Sequence, residues 1–179
     1  MRKEIKFGGF GGQGIILMGN IAGKACAKYD NKNAVFTPSY GPEARGGAAS
    51  SNIVIDEGEI DYPYVTKPDV LVVMSQEAYE KYAPSLKDDG ILIIDEDLVH
   101  LKNGAGRVAK IPSTRIAEKL GKRIVANIVM LGFFAGVTKL ISYKAIRKAV
   151  LESVPSKFKE LNEEALERGY KYGVKWQEE

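Results

Sequence analysis

Apolar positions along this chain switch several times between a strand-like and a helix-like spacing, and each switch marks an element. Residues 4–8 form a short strand pattern, and from Ile15 to Tyr29 the apolar residues Ile15, Met18, Ala22, Cys26 and Tyr29 fall on one stripe at helical period. Residues 34–37 give a second short strand. Residues 48–55 give a third, which alternates at Ile53 and Ile55 and ends in the acidic turn Asp56-Glu57-Gly58-Glu59, as an antiparallel return would. Residues 70–74 and 91–94 are continuous apolar runs, the pattern of central strands covered on both faces, and residues 76–86 between them predict a helix. A strand over residues 107–111 follows, with Pro112-Ser113 as the expected cap of a helix over residues 114–120.

Beyond that point the pattern is helical throughout. Residues 125–138 are apolar on nearly every side, so core or partner must cover them all round. Gly132 and Gly136, with Ala126 and Ala135, permit close helix packing. Residues 142–153 and 156–174 predict the last two helices. Alternating strands and helices on this scale imply an α/β protein: a three-layer α/β/α sandwich, Rossmann-like, with a mixed, mostly parallel sheet. With 179 residues and 45% hydrophobic content, the chain is expected to form a single domain over residues 1–179.

Charge and composition narrow the chemistry. The net charge of +3 is mild and the basic residues are interspersed with acids, which speaks against nucleic acid; Lys144, Arg147 and Lys148 read as a solvated helix face. One cysteine, Cys26, and one histidine, His100, exclude disulfide scaffolds, zinc sites and cysteine-ligated iron-sulfur clusters as properties of this chain alone. The amino terminus enters a strand pattern without the apolar stretch of a signal peptide, and the most apolar segment, interrupted by Asn127 and Lys139, falls short of the roughly 20 residues that span a bilayer. A cytoplasmic protein with no membrane span is expected.

Two glycine-rich runs hold the candidate chemistry. The first, Gly8-Gly9-Phe10-Gly11-Gly12-Gln13-Gly14, lies between a strand and a helix, where backbone approaches an anion or another backbone. The second, Ser39-Tyr40-Gly41-Pro42-Glu43-Ala44-Arg45-Gly46-Gly47, lies where the next strand ends. In an open parallel sheet, loops that follow successive strands meet at the carboxyl edge, so the two runs can share one crevice. Gly9 to Gly14 satisfies the dinucleotide fingerprint G-x-G-x-x-G, but no acidic residue ends the second strand to hold a ribose. Asp30 precedes that strand and belongs at the opposite edge. The glycines then serve either a ligand or simply a tight turn with close packing. Arg45, with its fork of donors, either faces a phosphate, a carboxylate or a partner chain, or braces its own loop together with Glu43. Asn127 bonds a neighbouring backbone loop or points to the crevice. His100 and Cys26 read as structural, the first without a nucleophile nearby in sequence and the second on an apolar helix stripe.

Gly9-Phe10-Gly11-Gly12-Gln13-Gly14, the run from Thr37 through Ser39, Tyr40, Gly41, Glu43, Arg45, Gly46 and Gly47, Pro68-Asp69-Val70-Leu71-Val72-Val73-Met74-Ser75-Gln76-Glu77-Ala78, and Val125-Ala126-Asn127-Ile128-Val129-Met130-Leu131-Gly132 together resemble the gamma subunit of the 2-oxoacid:ferredoxin oxidoreductases. The likeness covers nearly the whole chain, and the Glu-Ala-Arg-Gly-Gly wording resembles the 2-oxoglutarate branch. The resemblance implies an enzyme that converts a 2-oxoacid, coenzyme A and oxidised ferredoxin into acyl-CoA, carbon dioxide and reduced ferredoxin, or the reverse. It places thiamine diphosphate with Mg and the iron-sulfur clusters on alpha, beta and delta-type partner subunits, with no cofactor bound by this chain alone, no catalytic residue in it and no activity in isolation. Gly9, Gly11, Gly12, Gln13, Gly14, Ser39, Tyr40, Gly41, Glu43, Arg45, Gly46, Gly47 and Asn127 are the expected crevice for coenzyme A or partner loops. A purely structural scaffold subunit and a freestanding dinucleotide-binding oxidoreductase are the alternatives.

Overall fold

The computed structural model describes residues 1–39, 48–102 and 106–178; Tyr40 to Gly47 lie outside them. Six strands form one sheet in the order β2-β3-β1-β4-β5-β6. These are β1 (Lys3–Phe10), β2 (Asn33–Ser39), β3 (Ala48–Asp56), β4 (Val70–Val73), β5 (Ile91–Asp95) and β6 (Arg107–Ile111). β1, β4, β5 and β6 run parallel, while β3 lies antiparallel between β1 and β2. The mixed, mostly parallel sheet and the antiparallel return of the third strand are as expected from the sequence.

The three layers are uneven. One face carries α1 (Ile15–Tyr29), α3 (Ser113–Lys119), α4 (Ala126–Thr138), α5 (Tyr143–Ser153) and α6 (Lys159–Trp176), which bury Ile5, Phe7, Val72, Ile93 and Ile111 of the sheet. The other face is packed chiefly by α2 (Gln76–Tyr82), against Leu71, Val73, Leu92 and Ile94. Both faces of β4 and β5 are thus covered, which is why those segments are continuously apolar. α4 is buried from Ala126 to Val137. It meets α6 with glycine against backbone: a Cβ on Gly169 would lie 1.9 Å from the Val129 carbonyl oxygen, and one on Gly132 2.1 Å from that of Leu166. The small residues serve packing within the chain.

Several boundaries differ from the sequence pattern, each for a physical reason. β1 runs two residues further, to Phe10, because β3 pairs with it as far as Phe10 opposite Ala48. β2 extends to Ser39, opposite Ser50. The helix expected over residues 76–86 stops at Tyr82 and continues as a 3-10 turn, Ala83–Ser85, since Pro84 has no N–H to donate to the preceding turn. The segment expected as one helix from residue 156 opens as a 3-10 turn, Ser156–Phe158, before α6. No helix among the described residues is long and apolar enough to cross a membrane.

Candidate functional site

β1 is the switch point of the sheet. The chain leaves its carboxyl end through α1 toward β2, whereas β4 lies on its other side, so the connections part there and leave a crevice. β2 ends at Ser39 on the same edge, and Ala48 resumes the chain opposite Phe10. The first glycine-rich run and Ser39, the opening residue of the second, therefore lie at this edge. Ser39 is half-buried at this edge; Tyr40, Gly41, Glu43, Arg45, Gly46 and Gly47 lie outside the described residues.

The turn after β1 is held by one side chain. Gln13 accepts from the Phe10 N–H through Oε1 at 2.7 Å and donates from Nε2 to the Met74 carbonyl at 2.8 Å, while Met74 N–H donates to the Gly8 carbonyl at 2.9 Å. The carboxamide is thus engaged at both ends in tying β1 to the end of β4. Three of the candidate crevice glycines have internal reasons. A Cβ on Gly9 would lie 2.5 Å from Gln13 Oε1; Gly12 sits at φ +91°; Gly14 sits at φ +75°, and a Cβ there would lie 2.2 Å from Asn127 Nδ2. Gly11 has none: its φ is not positive and a Cβ would meet nothing within 4 Å. Among the described residues, nothing in the chain's own packing requires glycine there.

Asn127 is buried, 4% exposed, and its Nδ2 lies 3.4 Å from the Gly14 carbonyl. It supports the backbone at the start of α1, where Gly14 caps the helix without a side-chain bond. Beside it opens a cavity of about 300 Å³ lined by Gly12, Gln13, Met74, Thr114, Arg123 and Ile124, among others. Met74, Thr114, Arg123 and Ile124 were not singled out in the sequence. Ile124, 65% exposed, gives the cavity an exposed apolar residue, with the Arg123 guanidinium beside it in an exposed pair with Glu118 at 3.7 Å. Arg123 supplies a cation at a cavity that Gly12 also lines.

Thr114 is fixed by Asp95, which is fully buried at the end of β5. Its Oδ2 accepts from the Thr114 N–H at 2.8 Å, from Thr114 Oγ1 at 2.7 Å and from Ser113 Oγ, and Oδ1 accepts from the Asp97 N–H at 3.0 Å. Asp95 thereby caps α3. The cap position falls at Pro112, within the expected Pro112-Ser113, but neither side chain bonds the first turn; the carboxylate arriving from β5 takes the Thr114 N–H instead.

The family model for pyruvate ferredoxin/flavodoxin oxidoreductase matches residues 4–172. The chain belongs to this family. It is 52% identical to the 2-oxoglutarate synthase subunit KorC of Methanocaldococcus jannaschii, over 95% of this chain and 93% of that one. The crystal structure of a keto/oxoacid ferredoxin oxidoreductase gamma subunit from Geobacter sulfurreducens PCA superimposes with a TM-score of 0.90 at 42% identity, covering 98% of each chain. The fold also matches 30% of a longer chain, a 2-oxoglutarate:ferredoxin oxidoreductase from Magnetococcus marinus with 2-oxoglutarate, coenzyme A and succinyl-CoA bound, at a TM-score of 0.78 and 22% identity over 99% of this chain.

Within this oxidoreductase subunit the remaining candidates fall away from the crevice. Asp30 ends α1 at the far edge and accepts from the Ser142 N–H at 2.7 Å and Ser142 Oγ at 2.6 Å, so it braces the residue that caps α5. Cys26 is buried on α1, and burial pushes its thiol up to about 12, out of nucleophilic range. His100 is exposed, with its backbone N–H held by Gln76 Oε1 at 2.8 Å. Arg147 pairs with Glu163, and Lys148 lies 5.2 Å from the Tyr29 ring centre. These charges pack on the helix surface, as the spacing implied.

Proposed function

We propose that this chain, acting as one domain over residues 1–179, is the gamma subunit of a thiamine-dependent 2-oxoglutarate:ferredoxin oxidoreductase, and that its glycine-turn crevice receives coenzyme A. The 2-oxoglutarate substrate is supported by the 52% identity to the KorC subunit, and coenzyme A by the Magnetococcus marinus enzyme that carries this fold and binds it. One observation carries the crevice: Gly11, with no internal demand for glycine, immediately precedes Gly12, which lines a cavity that also holds an arginine. Backbone left bare beside a cation suits the phosphates of a nucleotide-like substrate.

Thiamine diphosphate with Mg and the iron-sulfur clusters belong to the alpha, beta and delta-type subunits on this reading. This chain's residues do not fit either group. Its single cysteine is buried in the core, and among the described residues no three metal-binding side chains gather. Ferredoxin then takes electrons from the complex, the isolated chain is inactive, and the assembly works in the cytoplasm.

Replacing Arg45 with Ala in the reconstituted complex tests the reading. A raised KM for coenzyme A with intact assembly supports ligand contact. Unchanged kinetics with lost assembly favours the scaffold alternative. The freestanding dinucleotide enzyme has against it the engagement of Asp30 with Ser142, far from the glycine turn.

A further inference from the structure

The two edges of the sheet are not alike. β2 carries Pro38, which cannot donate to an added strand, whereas β6, with the sequence Arg107-Val108-Ala109-Lys110-Ile111, has no proline. Residues along a strand alternate in which side their backbone groups face. The Glu96 N–H donates to the Ile111 carbonyl at 3.0 Å, which turns Ile111, and with it Ala109 and Arg107, toward β5. Val108 and Lys110 therefore direct N–H and C=O away from the sheet, and no backbone bond reaches them among the described residues.

Alongside this edge runs a groove of about 460 Å³ lined by Val108, Lys110, Tyr172, Lys175 and Trp176. Two aromatic side chains line it, Tyr172, 42% exposed, and Trp176, whose ring centre lies 5.4 Å from the Arg107 guanidinium. Its charge is of one sign. Arg107, Lys110 and Lys175 are exposed, and none makes an ion pair among the described residues.

We propose that β6 accepts an extended acidic segment of a neighbouring subunit as a seventh strand of this sheet. The backbone of Val108 and Lys110 supplies the pairing, the Val108, Tyr172 and Trp176 groove takes the incoming apolar side chains, and Arg107, Lys110 and Lys175 select for acidic ones. A second copy of the chain is a poor occupant. Two β6 edges brought together would gather two sets of Arg107, Lys110 and Lys175 on one seam, the usual guard against pairing of like edges. The inference rests on the chain working within an assembly, and it concerns a different part of the sheet from the glycine-turn crevice.

Residue-resolved hydrogen–deuterium exchange on the free chain and on the complex reconstituted with its larger subunits tests it. The Val108 and Lys110 amides should exchange quickly in the free chain and at least roughly ten-fold more slowly in the complex. The doubly reversed variant K110E/K175E, altered only at exposed side chains, should fold normally yet lose that protection. A wild-type complex that forms fully while both amides exchange as in the free chain overturns the seventh strand and leaves the subunit reading standing. Failure of the wild-type chain to join the larger subunits overturns both.

Discussion

Gln13 donates from Nε2 to the Met74 carbonyl at 2.8 Å, and this contact fixes the spacing of the two loops that flank the crevice. The same side chain accepts from Phe10, so a single residue closes the turn and ties it to β4. Gln13→Ala removes the side-chain partner of both the Phe10 N–H and the Met74 carbonyl. The expected cost is ~1–3 kcal/mol in urea unfolding of the isolated chain. Gln13→Glu keeps the acceptor for Phe10 but sets a carboxylate against the Met74 carbonyl, so it should be no more stable than the alanine variant. Wild-type stability in both variants would show that the turn holds itself.

Gly11 and Gly14 stand three residues apart and should respond to alanine in opposite ways. Gly14→Ala meets a positive φ and the Asn127 amide, so the free chain should lose at least ~1 kcal/mol. Gly11→Ala meets neither, and its stability should stay within ~0.5 kcal/mol of wild type. In the complex, however, Gly11→Ala should raise KM for coenzyme A. Steady-state kinetics beside urea titrations separate the two effects, and unchanged kinetics would remove the reason for assigning Gly11 to a ligand.

Much of this was legible because it was local. Val70–Val73 and Ile91–Asp95 announce burial on both faces by their own composition, and the position of Asp30 ahead of β2 already removed it from the crevice. The parts that escaped depend on distant partners. β1 gains its last two residues only because β3 returns beside them, and α3 takes its cap from Asp95, eighteen positions before Ser113. Arg123 and Thr114 reach the cavity from separate elements, and nothing in their sequence neighbourhood marks them. Their signal is the fold itself.

Gly169 faces the Val129 carbonyl so closely that any side chain must part α4 from α6. Because the obstacle is helix backbone, it cannot swing aside as a flexible side chain would. Gly169→Ala should destabilise the chain by at least ~2 kcal/mol. Thermal unfolding monitored by circular dichroism reads this directly. A variant with wild-type Tm would mean that the two helices tolerate wider spacing than the packing shows.

Cys26 should be inert while the chain is folded. With its thiol pushed up to about 12 by burial, almost no thiolate exists at pH 8, and the core shields the sulfur from reagents. Ellman's reagent should therefore label it only after denaturant is added. Rapid labelling of the native chain would show that α1 opens on the timescale of the assay.

Asp69 links stability to pH. Burial on its own would raise its pKa, but the bonds from Lys87 at 2.8 Å and from the Glu4 N–H at 2.8 Å, with the charges of Lys87 and Lys3, outweigh that and hold it below the ordinary carboxylate value. A depressed carboxylate stabilises the fold above its unfolded pKa of about 3.9 and ceases to do so as pH falls through its folded value. Urea midpoints should thus be steady near neutrality and drop progressively below about pH 4. Asp69→Asn should lower the midpoint at pH 7 and flatten the acid limb, because the variant has no proton to take up. The limb should not vanish, since Asp56, Glu152 and Glu167 are also held low by their partners. Parallel curves for wild type and Asp69→Asn would place the acid sensitivity on those exposed carboxylates and not on the junction of β1 with β4.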